Sequence, residues 1–417
     1  MSVLSLHYHE IWLKGCNRNF FVSKLRQSAR QALEGLNVSN VRHEENRMMA
    51  DAATEDDARQ AVERLARVPG VAYLAMAVEC APTIDAIVAT GKALVAGRRY
   101  ESFRVRCKRA QRSLPFRSKE IEQQLGAAIR EQAIAEGQPG RVDLTNAEVT
   151  CHVEATPQRA LLYSEKITGV GGLPTGTAGR LTCLLSGGYD SAVAAYKMIK
   201  RGARLSFVHY YGAAARPGED SPPIARELVK VLTRFQGRSR LFLVPFADIQ
   251  REVMLSAPES YRILIYRRLM LRIAQRIAFR SRSQGLVTGD SLAQVASQTL
   301  KNMRAVGAAA ELPLYRPLIG DDKQEILDIA RRIGTYEISS EPFTDCCPIY
   351  LPRNPEIFSS VNGLDAAESR LDIPALVDRG VRGRIKEVYE LRGGEVVQCP
   401  VESNEAADEQ IPVEAGA

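Results

Sequence analysis

The chain has 417 residues, which at about 150 residues per domain implies two or three domains and excludes a single small fold. With 45% hydrophobic and 25% charged residues, Gly 30 and Pro 20, the composition is that of ordinary globular protein, not of a disordered, collagen-like or fibrous chain. The 56 Lys and Arg against 49 Asp and Glu leave a net charge of +7, a modest excess that favours a polyanion partner without requiring one.

The opening MSVLSLHYHEIWLKG reaches His and Glu too early for a signal-peptide core. No later stretch approaches the roughly 18 apolar residues of a membrane span, so the chain reads as a soluble, cytoplasmic protein with no membrane partner. LSLHYH predicts a strand, and a helix is predicted from Phe20 to about Glu34 with Phe21, Leu25, Ala29 and Leu33 on one stripe. A second helix starts at a Thr54 cap, carries acids in its first turn and stops at Pro69-Gly70, after which VAYLAMAVEC predicts a strand. Strand, helix, strand makes a ferredoxin-like domain, 1–80.

From Thr83 the pattern resets as a helix, the basic strand RYESFRVRCKRA, the helix FRSKEIEQQLGAAIREQAIAEG, a Pro-Gly turn and further strands, giving a second α/β domain, 81–168. Nine cations fall in its basic segment, namely Arg98, Arg99, Arg104, Arg106, Lys108, Arg109, Arg112, Arg117 and Lys119, against the single acid Glu101. On charge alone this is either a polyanion site or an ordinary basic surface. Lys14 and Arg18 add to the same charge, whereas Trp12, Phe20 and Phe21 are expected in a core.

The Gly- and Thr-rich run 169–179 marks a domain boundary. RLTCLL, a glycine turn and a helix follow it, then LSFVHYYG, RLFLVPF, a helix over 262–280, GLVTG, PLYRPLIG and the helix DKQEILDIARRIG. This alternation predicts a doubly wound parallel sheet over 169–395. An acidic tail, 396–417, closes the chain; from residue 401 on it has five acids and no base and is expected to be loosely ordered.

The strongest local signal is Ser186-Gly187-Gly188-Tyr189-Asp190-Ser191 between an apolar strand and an amphipathic helix. Small residues there let backbone N–H groups approach phosphate oxygens at a helix N-terminus, although the same residues also make a plain turn with Asp190 as helix cap. The loop lacks the GK[ST] ending of a Walker A motif. Arg268, Arg272, Arg276 and Arg280 recur every four residues, which aligns them either as an electropositive stripe near nucleotide or RNA or as a solvated helix face. The eight cysteines are scattered with no repeated CxxC, so neither a disulfide framework nor a zinc site is indicated; only the adjacent Cys346 and Cys347 stand out.

SGGYDS resembles the SGGxDS signature of the PP-loop ATP pyrophosphatases. The wider stretches GGLPTGTAGRLTCLLSGGYDS, LVTGDSLAQVASQTLKNMRAV, RPLIGDDKQEILDIARRIGTYEIS and PFTDCCPIYLPRNP, with YHEIWLKGCNRNFF near the start, resemble the tRNA 4-thiouridine synthetases (tRNA sulfurtransferases). The resemblance implies an α/β architecture: a PP-loop domain of adenine nucleotide alpha hydrolase type behind N-terminal ferredoxin-like and THUMP domains. It implies ATP and Mg2+ as cofactors, tRNA as substrate, and adenylation of the 4-carbonyl oxygen of uridine 8 followed by replacement with persulfide sulfur. Ser186, Gly187, Gly188, Asp190 and Ser191 would hold the pyrophosphate part of ATP. Nucleotide contacts carry over to Leu184, Leu185, His209, Tyr210, Arg267, Gly289 and Gln298.

Lys323 matches a family lysine that would neutralise developing charge, and it is otherwise a solvent-facing lysine. Cys346 matches the persulfide cysteine, with Cys347 supporting or buried. The basic segment 98–119 would contact the RNA backbone. Longer relatives carry a C-terminal rhodanese domain, for which this sequence has no room, so a cysteine desulfurase is expected to load Cys346 directly. Cys399 is either a resolving thiol or an incidental cysteine. A family role in passing sulfur to a carrier protein for thiamine thiazole synthesis is also implied.

Overall fold

A computed structural model describes residues 2–109, 114–212, 221–342 and 354–401. Arg112, Cys346, Cys347 and the expected tail beyond 401 lie outside the described residues. The chain divides into two compact units, Met1–Gly172 and Leu173–Ala417.

In the first unit, β1 (Ser2–His7), α1 (Arg18–Ala32), β2 (Val38–Glu44), β3 (Arg47–Ala52), α2 (Glu55–Leu65) and β4 (Tyr73–Cys80) come first. A 3-10 segment, Glu10–Asn17, links β1 to α1. Of the expected stripe, Leu25 and Ala29 are buried on α1, Leu33 is buried just past its end and Phe21 is half-buried, while Val22 and Ala32 join the buried face; Thr54 caps α2 by accepting from Asp57 N, as the pattern predicts. The β2–β3 hairpin is an addition to the expected strand, helix, strand. β2 is a half-exposed edge strand and β3 is RMMADA, so neither shows the β-branched alternation that marks a strand.

Next come α3 (Ile84–Val95), β5 (Ser102–Arg109), α4 (Ser118–Ala135), β6 (Arg141–Val142), β7 (Val149–Ala155), β8 (Ala160–Tyr163) and β9 (Ile167–Thr168). All these strands share one sheet in the order β2-β3-β1-β4-β8-β7-β5-β6, with β9 on β4. One strand joins its halves: Ala77 of β4 pairs with Val3 of β1, and the adjacent Val78 pairs with Leu162 of β8. Leu4, Leu6, Leu25, Leu65 and Leu74 fill the core of one half, and Ile87, Phe103, Ile121, Leu125 and Ile129 that of the other.

The second unit holds β10 (Arg180–Leu184), α5 (Tyr189–Lys200), β11 (Arg204–Tyr211), α6 (Ser221–Gln236), β12 (Arg238–Pro245), α7 (Ala247–Ser256), α8 (Arg262–Arg280) and β13 (Leu286–Val287). It continues with α9 (Leu300–Gly307), β14 (Leu314–Tyr315), α10 (Lys323–Ile333), α11 (Tyr336–Ser340), α12 (Val361–Glu368), α13 (Ile373–Arg382), β15 (Ile385–Arg392) and β16 (Glu395–Cys399). The sheet order is β14-β13-β10-β11-β12-β15-β16, parallel through β12 as expected.

β15 and β16 add an antiparallel edge. The expected boundary at 395 is therefore the first residue of a strand, and Cys399 is the last residue of that strand, not part of a tail. Glu387 holds this edge to α6 through a bidentate contact with Arg226 and accepts from the Tyr389 hydroxyl at 2.6 Å. β10 leads on to β11 on one side and lies beside β13 on the other, so the strand order reverses at its carboxyl end. In open α/β sheets the ligand crevice opens at such a point.

Candidate active site

The SGGYDS turn leaves β10 and enters α5 with Gly188 as the helix N-cap. Ser191 folds the turn back on itself: its hydroxyl accepts from Ser186 N at 3.1 Å and lies 3.2 Å from the carbonyls of Ser186 and Gly188. Gly188 N donates to Ser186 Oγ at 3.3 Å. From the end of β13, Gly289 presses against the start of α5. A Cβ there would lie 2.7 Å from Ser191 N, so only glycine permits this approach.

Asp190, in the first turn of α5, accepts from Lys323 Nζ at 2.8 Å and from Gln294 Nε2 at 3.1 Å. Lys323 is the first residue of α10, whose start is fixed by an Asp322–Glu325 capping box. Its ammonium also sits 5.4 Å from the centre of the Tyr189 ring. Lys323 is thus engaged with the turn and is not simply a lysine facing solvent.

Beside the turn lies a cavity of about 320 Å³. Leu184, Leu185, Ser186, Asp190, Ser191, Tyr210, Arg267, Gly289 and Gln298 of the expected nucleotide set line it, joined by Ile263, Met270, Thr288, Asp290 and Ser297. Gly187, Gly188 and His209 are not among the lining residues. His209 is fully buried, with Nδ1 2.8 Å from Leu185 O and Nε2 2.8 Å from Ser221 Oγ, so a nucleotide contact from it would come from its backbone. Ile263, Arg267 and Met270 are spaced by four and three on α8, one helical face turned to the cavity.

Asp290 was not anticipated. Its position directly after Gly289, at the end of a short apolar strand, was the available signal. The carboxylate is 4% exposed and receives Arg267 Nη2, Arg316 Nε at 3.2 Å, Thr288 Oγ1 at 2.8 Å and Gln298 Nε2 at 3.4 Å. Burial alone would raise its pKa, but Arg267, the Thr288 hydroxyl and Arg316 hold it below the usual carboxylate range.

Arg268 and Arg272 correct the expectation for the Arg268–Arg280 row, whereas Arg276 is exposed. Arg268 is buried and pairs with Asp365 at 2.7 Å and Glu368 at 3.3 Å, and Arg272 binds Glu368 through two bonds of 2.8 and 2.9 Å. These two arginines pin α8 to α12. They form neither an RNA-facing stripe nor a solvated face, and the arginine of α8 that lines the cavity is Arg267.

In the first unit the basic segment also divides by role. Arg104 donates to Thr150 Oγ1 at 2.9 Å and to the carbonyls of Leu144 and Thr145. Arg106 donates to Leu144 O, and Arg98 pairs with Glu165 at 3.2 Å. Arg99 lines a shallow depression with Tyr100 and Glu136, Arg117 is the N-cap residue of α4, and Lys119 is exposed on that helix.

Lys108 and Arg109 line a second cavity of about 380 Å³ with His7, Tyr8, His9, Trp12 and Arg47. Its floor is a buried pair, Arg47 and Glu154, with Tyr163 donating to Glu154 at 2.7 Å. Burial pushes the His7 imidazole down to about 3, and the neighbouring cations Arg47, Lys108 and Lys166 act in the same direction. Trp12 and Phe20 are exposed, contrary to the core expectation, and Arg18 stacks 3.9 Å over the Trp12 ring. Trp12 lies in the 3-10 segment, where Ile11 is buried and Trp12 is exposed.

Among the described residues no group of three or more His, Cys, Asp or Glu is arranged to hold a metal ion, and no helix is long and apolar enough to cross a membrane.

Three family models match the chain: one described as thiamine biosynthesis protein (ThiI) over residues 176–373, the ThiI ferredoxin-like domain over 3–75 and the THUMP domain over 82–165. The chain is 40% identical over 393 residues to a probable tRNA sulfurtransferase of Thermus thermophilus, covering 94% of this chain and 95% of that one. It is 35% identical over 377 residues to a probable tRNA sulfurtransferase of Thermoanaerobacter sp., covering 90% and 97%. The crystal structure of a 4-thiouridine synthetase–RNA complex with bound ATP matches with a TM-score of 0.79 at 31% identity, covering 93% of this chain and 99% of that one. Likeness of this extent, running through both units, means that the chain belongs to the ThiI family of tRNA sulfurtransferases.

Proposed function

We propose that the protein is an ATP-dependent tRNA uridine 4-sulfurtransferase. The observation that carries this reading is the convergence of Ser186, Asp190 and Ser191 of the SGGYDS turn with the Arg267–Gln298 wall on one cavity at the sheet's switch point, with Lys323 bonded to Asp190. The RNA complex with bound ATP formed by a 4-thiouridine synthetase of the same fold supports it. The matches to 3–75, 82–165 and 176–373 support a three-part division at 1–80, 81–168 and 169 onward, the last part running through β16 to residue 399.

The chemistry has two halves. The 4-oxygen of uridine attacks the α-phosphorus of ATP, the bond to the β-phosphate breaks, and pyrophosphate leaves. The carbonyl oxygen, a poor leaving group, has then become the oxygen of AMP, which is a good one. The outer sulfur of a Cys346 persulfide attacks C4, AMP departs, and a second thiol breaks the sulfur–sulfur bond to release 4-thiouridine and leave a disulfide. Cys399 is one candidate for that thiol.

This chain's residues hold charge in place. The N-terminus of α5 would face departing phosphate, while Lys323 and Arg267 offset negative charge as it develops. Mg2+ ordinarily takes one or two carboxylates plus substrate phosphates, and Asp190 is the carboxylate at the turn that fits this pattern. When bound, the ion would screen the phosphate charges.

In the first unit, the 380 Å³ cavity with Trp12, Tyr8, His9, Lys108 and Arg109 suits RNA, since rings stack on bases and cations take phosphates. A cysteine desulfurase would load Cys346. Passage of sulfur to a thiamine-pathway carrier protein is a second role, supported by the description of the matching family model.

The test is to incubate the protein with ATP, magnesium, unmodified tRNA, a cysteine desulfurase and cysteine, and to follow 4-thiouridine by its near-ultraviolet absorption. Cys346→Ser should bind tRNA and form no product. Full product from that variant would remove Cys346 from the mechanism, and a wild type that binds tRNA without releasing pyrophosphate would leave an RNA-binding protein with an inactive nucleotide fold.

A further inference from the structure

The end of the second unit's sheet opposite the SGGYDS turn carries a concentration of charge that the nucleotide site does not use. The segments 178–182, 199–206, 233–240 and 279–286 lead into or contain the starts of β10, β11, β12 and β13, and parallel pairing sets them side by side. Together they hold nine Arg or Lys residues and no Asp or Glu. At the flanks stand Glu311, ahead of β14, and Glu390 on the antiparallel edge. Glu390 is in register with Arg238 but already takes two bonds of 2.7 and 3.0 Å from Arg392.

Helix C-termini favour cations, which accounts for Lys200 on α5 and Arg234 on α6. It does not account for the strands. Arg180 of β10 is in direct register with Arg204 of β11, and Arg240 of β12 is in register with Ser206, two places along from Arg204. Because side chains alternate along a strand, Arg180, Arg204, Arg238 and Arg240 share one face, on strands about 4.8 Å apart. Like charges set opposite each other destabilise a sheet. Arg204 is exposed, yet desolvation of its head group by surrounding protein, then the charges of Arg180, Arg238 and Arg240, lower its pKa. The side chains of Arg180, Arg204, Arg234 and Lys200 have no hydrogen-bond or ion-pair partner among the described residues.

We propose that this edge of the second unit is a contact for the phosphodiester backbone of the tRNA substrate, additional to the cations of the first unit. The residue types favour phosphate: guanidinium forks match its oxygens bidentately, and a polymer of phosphates relieves several cations at once. None of these cations lines the nucleotide cavity, so the edge is not an arm of the ATP site. The inference rests on the reading that the protein acts on tRNA.

The experiment uses the full chain and unmodified tRNA. The double variant Arg180→Gln/Arg204→Gln should bind tRNA about tenfold more weakly and flatten the log–log dependence of affinity on salt by roughly 1.4–1.8, the share of two phosphates. Removing two facing like charges should leave the melting temperature level or raise it, with ATP affinity unchanged. Arg180→Lys/Arg204→Lys keeps the charge and should hold the salt slope. Unchanged tRNA affinity and slope in the Gln variant would overturn the proposal. So would a fall in both melting temperature and ATP affinity, which would make the arginines structural. Weaker binding of a cysteine desulfurase with tRNA binding intact would assign the edge to an acidic protein surface, and would likewise overturn it.

Lysine acetylation of the wild type gives a readout that no substitution disturbs. Bound tRNA should protect Lys200 as well as Lys108 of the first unit, read by mass spectrometry after brief labelling. Protection of Lys108 without Lys200 would overturn the proposal and keep the tRNA reading. A wild type that binds no tRNA would instead overturn that reading.

Discussion

Lys323 Nζ and Asp190 Oδ1, separated by 133 positions in the chain, lie 2.8 Å apart at the phosphate turn. The pair joins the first residue of α10 to the first turn of α5, so the lysine is held at the turn by a carboxylate that is part of it.

Two groups that act as a unit lose function together. Lys323→Met should lower the rate of pyrophosphate release about 100-fold, the scale of losing one transition-state donor. Asp190→Asn should fall to a comparable level, and the double variant should be far less impaired than the product of the two losses. Fully multiplicative losses in a pyrophosphate assay would mean that the two side chains work independently.

Gly289→Ala adds a methyl group 2.7 Å from Ser191 N, where backbone has to move. Overpacking of this kind costs about 1–3 kcal/mol. We expect a lower melting temperature and loss of ATP binding, both read in one thermal-shift titration with ATP.

Lys108→Ala and Lys166→Ala should each weaken tRNA binding while leaving ATP affinity unchanged. If each lysine neutralises one phosphate, each substitution should flatten the log–log dependence of affinity on salt by roughly 0.7–0.9. Burial, then Lys108 and Arg104, already lower the Lys166 pKa, which marks a crowded cationic surface relieved by a polyanion. An unchanged salt slope would place the RNA elsewhere.

The His7 imidazole is held neutral down to about 3 by burial and then by neighbouring cations, whereas the same residue in the unfolded chain takes a proton near 6.5. Between these values the unfolded state binds more protons, so stability falls as pH falls, by about 1.4 kcal/mol per unit below 6.5. His7→Gln should lose less stability than wild type between pH 7 and 5 in chemical denaturation. His152, pushed down to about 4 by burial and then by Lys166, should contribute with the same sign.

Burial pushes the thiols of Cys107 up to about 11 and of Cys151 and Cys183 up to about 12. Since the thiolate is the reactive form, these three should resist iodoacetamide at pH 8 in the native protein, and the exposed Cys16 should react. Mass spectrometry after brief labelling checks this. Rapid modification of Cys183 would contradict its burial beneath α5.

The phosphate turn was legible because strand, glycine turn and helix are contiguous in sequence, and so were the elements flanking it. The Arg268–Arg272 pairing with Asp365 and Glu368 was not, because periodicity reports which side chains share a face and says nothing of what packs against it. Asp290 shows the same limit: its four donors come from residues 267, 288, 298 and 316, and only the fold brings them together. Trp12 was assigned to a core by its type, yet in the 3-10 segment it is exposed. The two-residue strands β13 and β14 were legible as the apolar runs GLVTG and PLYRPLIG within the α/β alternation, although neither is long enough for a period to register, and β13 leads directly to Gly289 and Asp290.

Strand β4 gives Ala77 to one half of the first unit's sheet and Val78 to the other. A fragment beginning at residue 81 would strip β8 of its neighbour and leave Leu161 and Leu162 on a raw edge, a template for aggregation. One ending at 80 would bare the far end of β4 in the same way. The ferredoxin-like and THUMP halves thus behave as a single beam with no hinge at their seam, and the smallest soluble RNA-binding piece of this protein should be the whole of residues 1–172.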